Sequence, residues 1–387
     1  MKQMEEQTMK CPRCGNEDPH YFYQGSRGWY CRRCIGFSRV LLEEELEPAG
    51  LEPVSATAAE YLLRYPLTPA QKEISLACAE TIQTQDVLIA AVCGAGKTEL
   101  VVETISRFLA EGRSVGFAIA RRQVVLEVAG RLAEIFSKAR VSAVCGGHTQ
   151  VTDGDLIVCT THQLYRYHQA FDCLILDEPD AFPFKGDPVL HGIAAGACRG
   201  HTIYLTATPD AVLKQRVKAG SLACFCLQRR PHGNDLPVPQ MIHGPAGILI
   251  AALYRWLRQH REHPRMVFAP TIRQAVRLHQ LFSRIMKCSC VTSRTPDRDA
   301  VIEAFRKQPA GLIFATTVLE RGVTVPGADI CVYEADSGVF DEAGLIQMCG
   351  RAGRSFSAPE GSCLFLLKQA SPEAERCAAA LRKANLS

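Results

Sequence analysis

Long apolar runs are missing from this sequence. The longest, such as Val87–Cys93, fall far short of the roughly 20 residues that a bilayer-spanning helix needs. A strong charge of either sign is missing too. The net charge is +4 over 387 residues, which permits a nucleic-acid partner without arguing for one. The opening segment Met1–Lys10 is polar and charged and lacks the apolar centre of a signal peptide. There is no regular disulfide framework. Of 18 cysteines, four form two Cys-x-x-Cys pairs near the N-terminus, and the rest are scattered through apolar stretches, as at Cys173 and Cys331. That usage fits a reducing compartment in which most thiols serve as small core residues. A cytoplasmic protein with no direct membrane span is expected, peripheral at the inner face of a membrane only through partners.

What is present is an ordinary globular composition, 47% hydrophobic and 22% charged, in a chain long enough for two or three domains. From about residue 56, short apolar strands alternate with amphipathic helices. Asp86–Val92, Ser114–Ala120, Val141–Cys145, Asp155–Cys159, Phe171–Leu176 and Thr202–Thr206 read as buried strands, and Val124–Phe136 has helical spacing. Continuous apolar strands separated by helices indicate a parallel sheet covered on both faces. Residues 229–246, rich in Pro, Gly and charge, read as the best boundary in the chain. A second series follows, with strands at Arg265–Ala269, Gly311–Ala315, Asp329–Tyr333 and Cys363–Leu367. The glutamates at 43, 44, 45 and 47, followed by Pro48 and Pro53, read as a linker or a short solvated helix. The expected class is α/β: a small N-terminal metal module (1–45) followed by two parallel-sheet domains (46–235 and 236–387).

Ala91-Val-Cys-Gly-Ala-Gly-Lys-Thr98 lies between a strand and a helix expected over Thr98–Leu109. It matches G-x-x-x-x-G-K-[ST] except that Ala91 replaces the first glycine. In such a loop the backbone of Cys93, Gly94, Ala95 and Gly96 turns its N–H groups onto phosphate. Lys97 reaches the outer phosphates of ATP and the Thr98 hydroxyl ligates Mg²⁺. The strand Cys173–Leu176 runs into Asp177-Glu-Pro-Asp180. Asp177 suits Mg²⁺ and Glu178 the attacking water. Gln347-Met-Cys-Gly-Arg-Ala-Gly-Arg354 places Arg351 and Arg354 three apart, on one face if helical. Arginines so presented stabilise charge on a γ phosphate. An exposed surface pair is the plainer alternative, and the flanking glycines favour the functional one.

Cys11-Pro-Arg-Cys14 and Cys31-Arg-Arg-Cys34 supply four thiolates in two knuckles, the pattern of a closed structural Zn²⁺ site. The arginines at 13, 27, 32, 33 and 39 interleave with Tyr21, Phe22, Tyr23, Trp29, Tyr30 and Phe37. That mixture suits base stacking and phosphate contact, but so small a module also needs a core, and core use is expected for most of these rings. Cys224/Cys226 and Cys288/Cys290 have one intervening residue and read as alternate-facing strand or loop cysteines.

In order along the chain these segments resemble the motifs of superfamily 2 helicases and translocases. The resemblance covers about residues 60–370. Leu67-Thr-Pro-Ala-Gln71 is similar to the adenine-reading motif, with Gln71 as the base contact. Ala120-Arg-Arg122, Cys159-Thr-Thr-His162, Thr206-Ala-Thr-Pro209, Phe268-Ala-Pro-Thr271 and Ala315–Thr324 resemble motifs Ia, Ic, III, IV and V. The resemblance implies RecA-like domains, a nucleotide contact for Gln347, and a strand groove contacted by Arg121 or Arg122, Thr160, Thr161, Thr271, Thr316 and Thr317. The zinc module ahead of the motor resembles the late competence family of DNA-uptake ATPases. Asp177–Pro183, Leu236-Pro-Val-Pro239 and Thr316–Gly322 support that likeness, and Pro179 stands where the family often has Val. It implies ATP-driven pulling of single-stranded DNA beside a membrane channel and a phosphoribosyltransferase-like partner. A replication-restart or repair helicase is the alternative. An RNA helicase and an inactive zinc scaffold are further ones: motif VI beginning Gln347-Met-Cys rather than His-Arg-Ile speaks against the first, and the complete set of ATP-site residues against the second.

Overall fold

The structure, a computed structural model, describes residues 9–55, 57–319, 325–353 and 358–386. Chain contacts divide it into two compact units. One joins the chain up to Ala90 with Lys97–Cys226, and the other joins Ala91–Gly96 with the chain from Leu227 onward.

The strands are, in order, β1 (Phe22–Gly25), β2 (Gly28–Cys31), β3 (Val87–Ala91), β4 (Val115–Ile119), β5 (Val141–Val144), β6 (Leu156–Thr160), β7 (Phe171–Asp177), β8 (Cys198–Thr206), β9 (Ala223–Leu227), β10 (Gln240–His243), β11 (Arg265–Phe268), β12 (Ser289–Val291), β13 (Leu312–Ala315), β14 (Asp329–Tyr333) and β15 (Cys363–Leu367). The helices are α1 (Pro69–Thr81), α2 (Lys97–Leu100), α3 (Val102–Ala110), α4 (Arg122–Ile135), α5 (Pro188–Ala197), α6 (Ala211–Lys218), α7 (Ala246–Gln259), α8 (Ile272–Phe282), α9 (Arg298–Arg306), α10 (Glu342–Cys349) and α11 (Pro372–Asn385). Among the described residues no helix is long and apolar enough to cross a membrane.

The first unit is built on a seven-stranded sheet in the order β5-β6-β4-β7-β8-β3-β9. The neighbours from β5 through to β3 run parallel. The second unit has six strands, β10-β15-β14-β11-β13-β12, all parallel. These strands read as unbroken apolar runs because both faces are covered. In β14, Ile330 and Val332 enter one core with α9, α10 and α11, while Cys331 and Tyr333 enter another with α7 and α8. Each large side chain buried this way stabilises the fold by roughly 1.5–3 kcal/mol.

Two segments depart from the sequence reading. The acidic stretch is neither a helix nor a free linker. Leu42, Leu46, Ala49 and Leu51 alternate with its charges and pack against the core of the first unit. The Ala49 N–H donates to the His168 carbonyl at 2.8 Å. Within the Pro/Gly-rich segment 229–246, Gln240–His243 forms β10, paired with β15 at the edge of the second sheet. An edge position tolerates the neighbouring prolines, whose missing N–H groups break no ladder.

The N-terminal module is part of the first unit's core rather than an appendage. Its four cysteines, Phe22 and Val40 cluster with Leu174, Leu176, Leu190 and Ile193. The approach to α5 is so close that a methyl on Gly192 would overlap the Cys14 carbonyl oxygen. Gly192→Ala therefore has to push backbone against backbone. We expect a loss of about 1–3 kcal/mol, seen as a lower midpoint of thermal unfolding, whereas alanine at Gly130, where space is open, should leave the midpoint unchanged or raised.

Candidate nucleotide and zinc sites

In the first sheet the motif residues stand at one edge. The register pairs Ile119 with both Thr160 and Asp177, Asp177 with Leu205, and Ala90 with Thr206. The carboxyl ends of β3, β4, β6, β7 and β8 are therefore level, the place where open parallel sheets bind ligands.

β3 opens into the glycine loop. Gly94 and Gly96 have φ of +84° and +80°, a backbone that residues with a Cβ rarely adopt and that curls successive N–H groups inward. The expected helix Thr98–Leu109 is present as α2 and α3 with one interruption, at Val101. Thr98 is buried. Lys97 Nζ lies 3.6 Å from a carboxylate oxygen of Glu178, both side chains being mostly covered. Asp177 is the last residue of β7. Glu178 has a left-handed backbone, φ +52°, held by its N–H bond to the Leu205 carbonyl at 2.8 Å. A non-glycine residue pays about 1–2 kcal/mol for that conformation, and the chain turns there directly after the strand.

Asp180 acquires a task the sequence did not reveal. Its two carboxylate oxygens accept from Thr206 Oγ1 at 2.5 Å and Thr208 Oγ1 at 2.7 Å. The loop after β7 is thus tied to the loop after β8. Gln71 sits at the start of α1, where its Oε1 accepts from the Thr68 N–H at 2.9 Å and its N–H donates to Thr68 Oγ1. This is a reciprocal helix cap. Arg121 stands at the N-cap of α4, and Arg122 Nε donates to the Gly146 carbonyl. Thr161 and Thr316 are buried. The Thr271 hydroxyl is engaged in capping α8, bonding Gln274.

In the second unit Gln347 and Arg351 are buried. Arg351 lies just past a helix rather than on one. α10 ends at Cys349, with Gly350 as its C-cap, and Gly353 has φ +58°. Glycines at these positions stop the helix before Arg351. Arg354 lies outside the described residues, as does the Glu320–Thr324 part of motif V. Sequence reading also missed Arg230, which it placed in a boundary segment. Its buried guanidinium donates to the carbonyls of Gly350, Ala352 and Gly353 at 2.9, 2.8 and 2.6 Å. It fixes the turn that carries Arg351. Within the same unit, which includes Ala91–Gly96, Cys93 Sγ donates to Gln347 Oε1 at 3.1 Å.

At the N-terminal end the sulfurs of Cys11, Cys14, Cys31 and Cys34 are buried and lie within 4.8 Å of one another. Cys11–Cys34 and Cys14–Cys31 are 3.6 and 3.9 Å apart. A tetrahedron with Zn–S bonds of about 2.3 Å has edges of about 3.8 Å, so the set fits that ion. The thiols resist ionising together. Hydrogen bonds from Cys14 and Cys34 hold Cys11 down at about 2, while the bond to Cys11 drives Cys14 up to about 12 and Cys34 higher still. Only a cation in their midst would let all four be thiolates. Away from this cluster, Cys78, Cys145, Cys159, Cys173, Cys331, Cys349, Cys363 and Cys377 are buried free thiols, as expected for core residues. Burial pushes Cys78 up to about 12. Cys224 and Cys226 differ from the expectation. Being two apart on β9 they face the same way, exposed, with sulfurs 3.8 Å apart.

Comparison with known proteins shows the family. A family model described as "Type III restriction enzyme, res subunit" matches residues 64–211, and one described as "Helicase conserved C-terminal domain" matches residues 248–356. The competence protein ComFA of Streptococcus pneumoniae is 33% identical over 92% of this chain and 85% of its own length. The chain belongs to the ComFA family. The ComFA of Bacillus subtilis is also 33% identical, over 92% of this chain and 81% of that protein. The structure of S. cerevisiae Dbp5 bound to RNA and ADP BeF3 shares the fold with a TM-score of 0.62 at 17% identity, covering 82% of this chain and 92% of that one. This ComFA-family chain therefore has two RecA-like domains and is an ATP-hydrolysing helicase or translocase.

Proposed function

We propose that this ComFA-family protein is a motor that moves along single-stranded DNA and draws transforming DNA into the cytoplasm during natural competence. The observation that carries the reading is the gathering of the phosphate loop and the motif carboxylates at one sheet edge, with Lys97 3.6 Å from Glu178, in a chain matching ComFA over nearly its whole length. Domain limits of 1–45, 46–235 and 236–387 are proposed for the zinc module and the two RecA-like domains.

In this reading the N–H groups of Cys93, Gly94, Ala95 and Gly96 cradle the phosphates of ATP, and Lys97 neutralises the outer ones. Thr98 and Asp177 offer the hard oxygen donors that would hold Mg²⁺, which offsets charge on the transferring phosphate. Glu178 orients the attacking water. Gln71 contacts the adenine and Gln347 the nucleotide. Arg351 and Arg354 stabilise charge on the γ phosphate. Cys11, Cys14, Cys31 and Cys34 would hold a structural Zn²⁺. A membrane DNA-uptake channel and a phosphoribosyltransferase-like competence protein are the proposed partners, and they would bring the motor to the inner face of the membrane. ATP hydrolysis measured against matched single-stranded DNA, duplex DNA and RNA tests the reading. A rate raised most by single-stranded DNA supports it, and no response to that strand overturns it.

A further inference from the structure

The aromatic residues of the N-terminal module divide into two groups. Phe22 and Tyr30 are buried, and Trp29 and Phe37 pack against the first unit's core. Tyr21 and Tyr23 are 39% and 51% exposed. A core does not need these two rings.

The register of the β1–β2 hairpin shows which residues share a face. Tyr23 lies opposite Tyr30, and Phe22 opposite Cys31. The Arg32 N–H donates to the Tyr21 carbonyl, which continues the pairing. Tyr21, Tyr23, Tyr30 and Arg32 therefore stand on one face, and Phe22 and the ligand Cys31 on the other. On the tyrosine face each ring carries a guanidinium. Arg33 is 4.8 Å from the ring centre of Tyr21, Arg32 is 5.8 Å from that of Tyr23, and Arg39 is 4.5 Å from that of Tyr30. Among the described residues none of these three arginines has a carboxylate within ion-pair distance, and Arg33 bonds the neutral Asn16 side chain. Three positive charges are thus held among π faces without a direct ion pair, although Arg33 lies close enough to add to the lowering of the Asp18 carboxyl by its hydrogen bonds from His20.

We propose that this face of the zinc module is a second binding site for single-stranded DNA, resting on the reading of that strand as the motor's track. Guanidiniums meet phosphates, the exposed tyrosines stack bases, and no base edge is read, so the contact is independent of sequence. The module cannot swing on a tether. The Phe37 ring lies 6.1 Å from that of His162 and 5.5 Å from that of Tyr165, in the turn that follows Thr160. A strand held by the hairpin is therefore mechanically joined to the motif Ic edge of the same unit.

The test uses the full chain with two double variants, Tyr21→Ala/Tyr23→Ala and Arg32→Gln/Arg33→Gln. Zinc content and the DNA-free ATPase rate are checked first, and both should equal wild type. Binding of a fluorescent oligothymidine is then measured by anisotropy across a salt series. The tyrosine variant should bind about 5-fold or more weakly. The arginine variant should lose affinity and flatten the slope of log K against log salt by about 1.4, some 0.7 per phosphate contact on a single strand. Wild-type affinity and slope in both variants would overturn the proposal. So would variants that keep the strand but lose capture of a protein partner, which would make this a protein-docking face. Failure of the underlying reading is distinguishable, because the wild-type chain itself would then not bind the oligomer.

Discussion

Lys97→Ala should abolish ATP hydrolysis, lowering the rate by about 100-fold or more, while affinity for single-stranded DNA stays within about 2-fold of wild type. The reason lies in where the charge sits. Lys97 is mostly covered and lies 3.6 Å from Glu178. An ammonium in so enclosed a place interacts more strongly with developing phosphate charge than one in water. Its removal takes away the proposed neutralising group and also the ion-pair partner of Glu178, the carboxylate proposed to orient water. The backbone should not collapse, because Glu178 keeps its N–H bond to Leu205 and Asp180 keeps both threonine hydroxyls. Phosphate release and anisotropy measured on the same preparation check the split. Loss of strand binding in parallel with hydrolysis would place Lys97 in the strand path or in the fold instead.

Removing zinc should have the largest effect on stability. The four cysteines lie inside the core of the first unit, against Leu174, Leu190 and Ile193. Without a cation their thiols oppose one another's ionisation. A structural zinc contributes several kcal/mol or more to folding. For a unit of this size we expect stripping by a strong chelator, or Cys31→Ser, to lower the unfolding midpoint by about 10 °C or more. Metal content should fall from about one zinc per chain to none. Phe37 and Cys14 also leave their seats against Tyr165 and Gly192, so the loss spreads to the motif Ic turn. An unchanged midpoint in the metal-free chain would show that the knuckles are held by packing alone.

Most of the strand core was legible because a parallel strand buried on both faces is a continuous apolar run. β14 and β15 lie where the pattern places them, at Asp329–Tyr333 and Cys363–Leu367. Two of the elements not named from the sequence have a short or masked signal. β10 has four residues among prolines, and α5, Pro188–Ala197, carries two glycines that lower its helical signal. The glycine loop proposed to hold phosphate stood out because such chemistry demands fixed residue types at fixed spacing. Arg230 was not, since nothing local marks one arginine in a Pro/Gly-rich segment as the clamp on carbonyls more than a hundred residues away. Thr68-Pro-Ala-Gln71 carried a signal that went unused. A threonine followed three residues later by glutamine before a helix is a capping box, and Gln71 makes that bond. The Asp180 bridge to Thr206 and Thr208 joins two motifs that sequence order alone leaves separate.

The central claim is that single-stranded DNA drives the ATPase. Steady-state phosphate release by the wild-type chain, with saturating single-stranded DNA, with the same sequence as RNA or duplex, and with no nucleic acid, tests it most directly. The account predicts a rate raised about 10-fold or more by single-stranded DNA and much less by the others, and no such rise in Lys97→Ala. An equal rate with and without single-stranded DNA, or a larger rise with RNA, would contradict it.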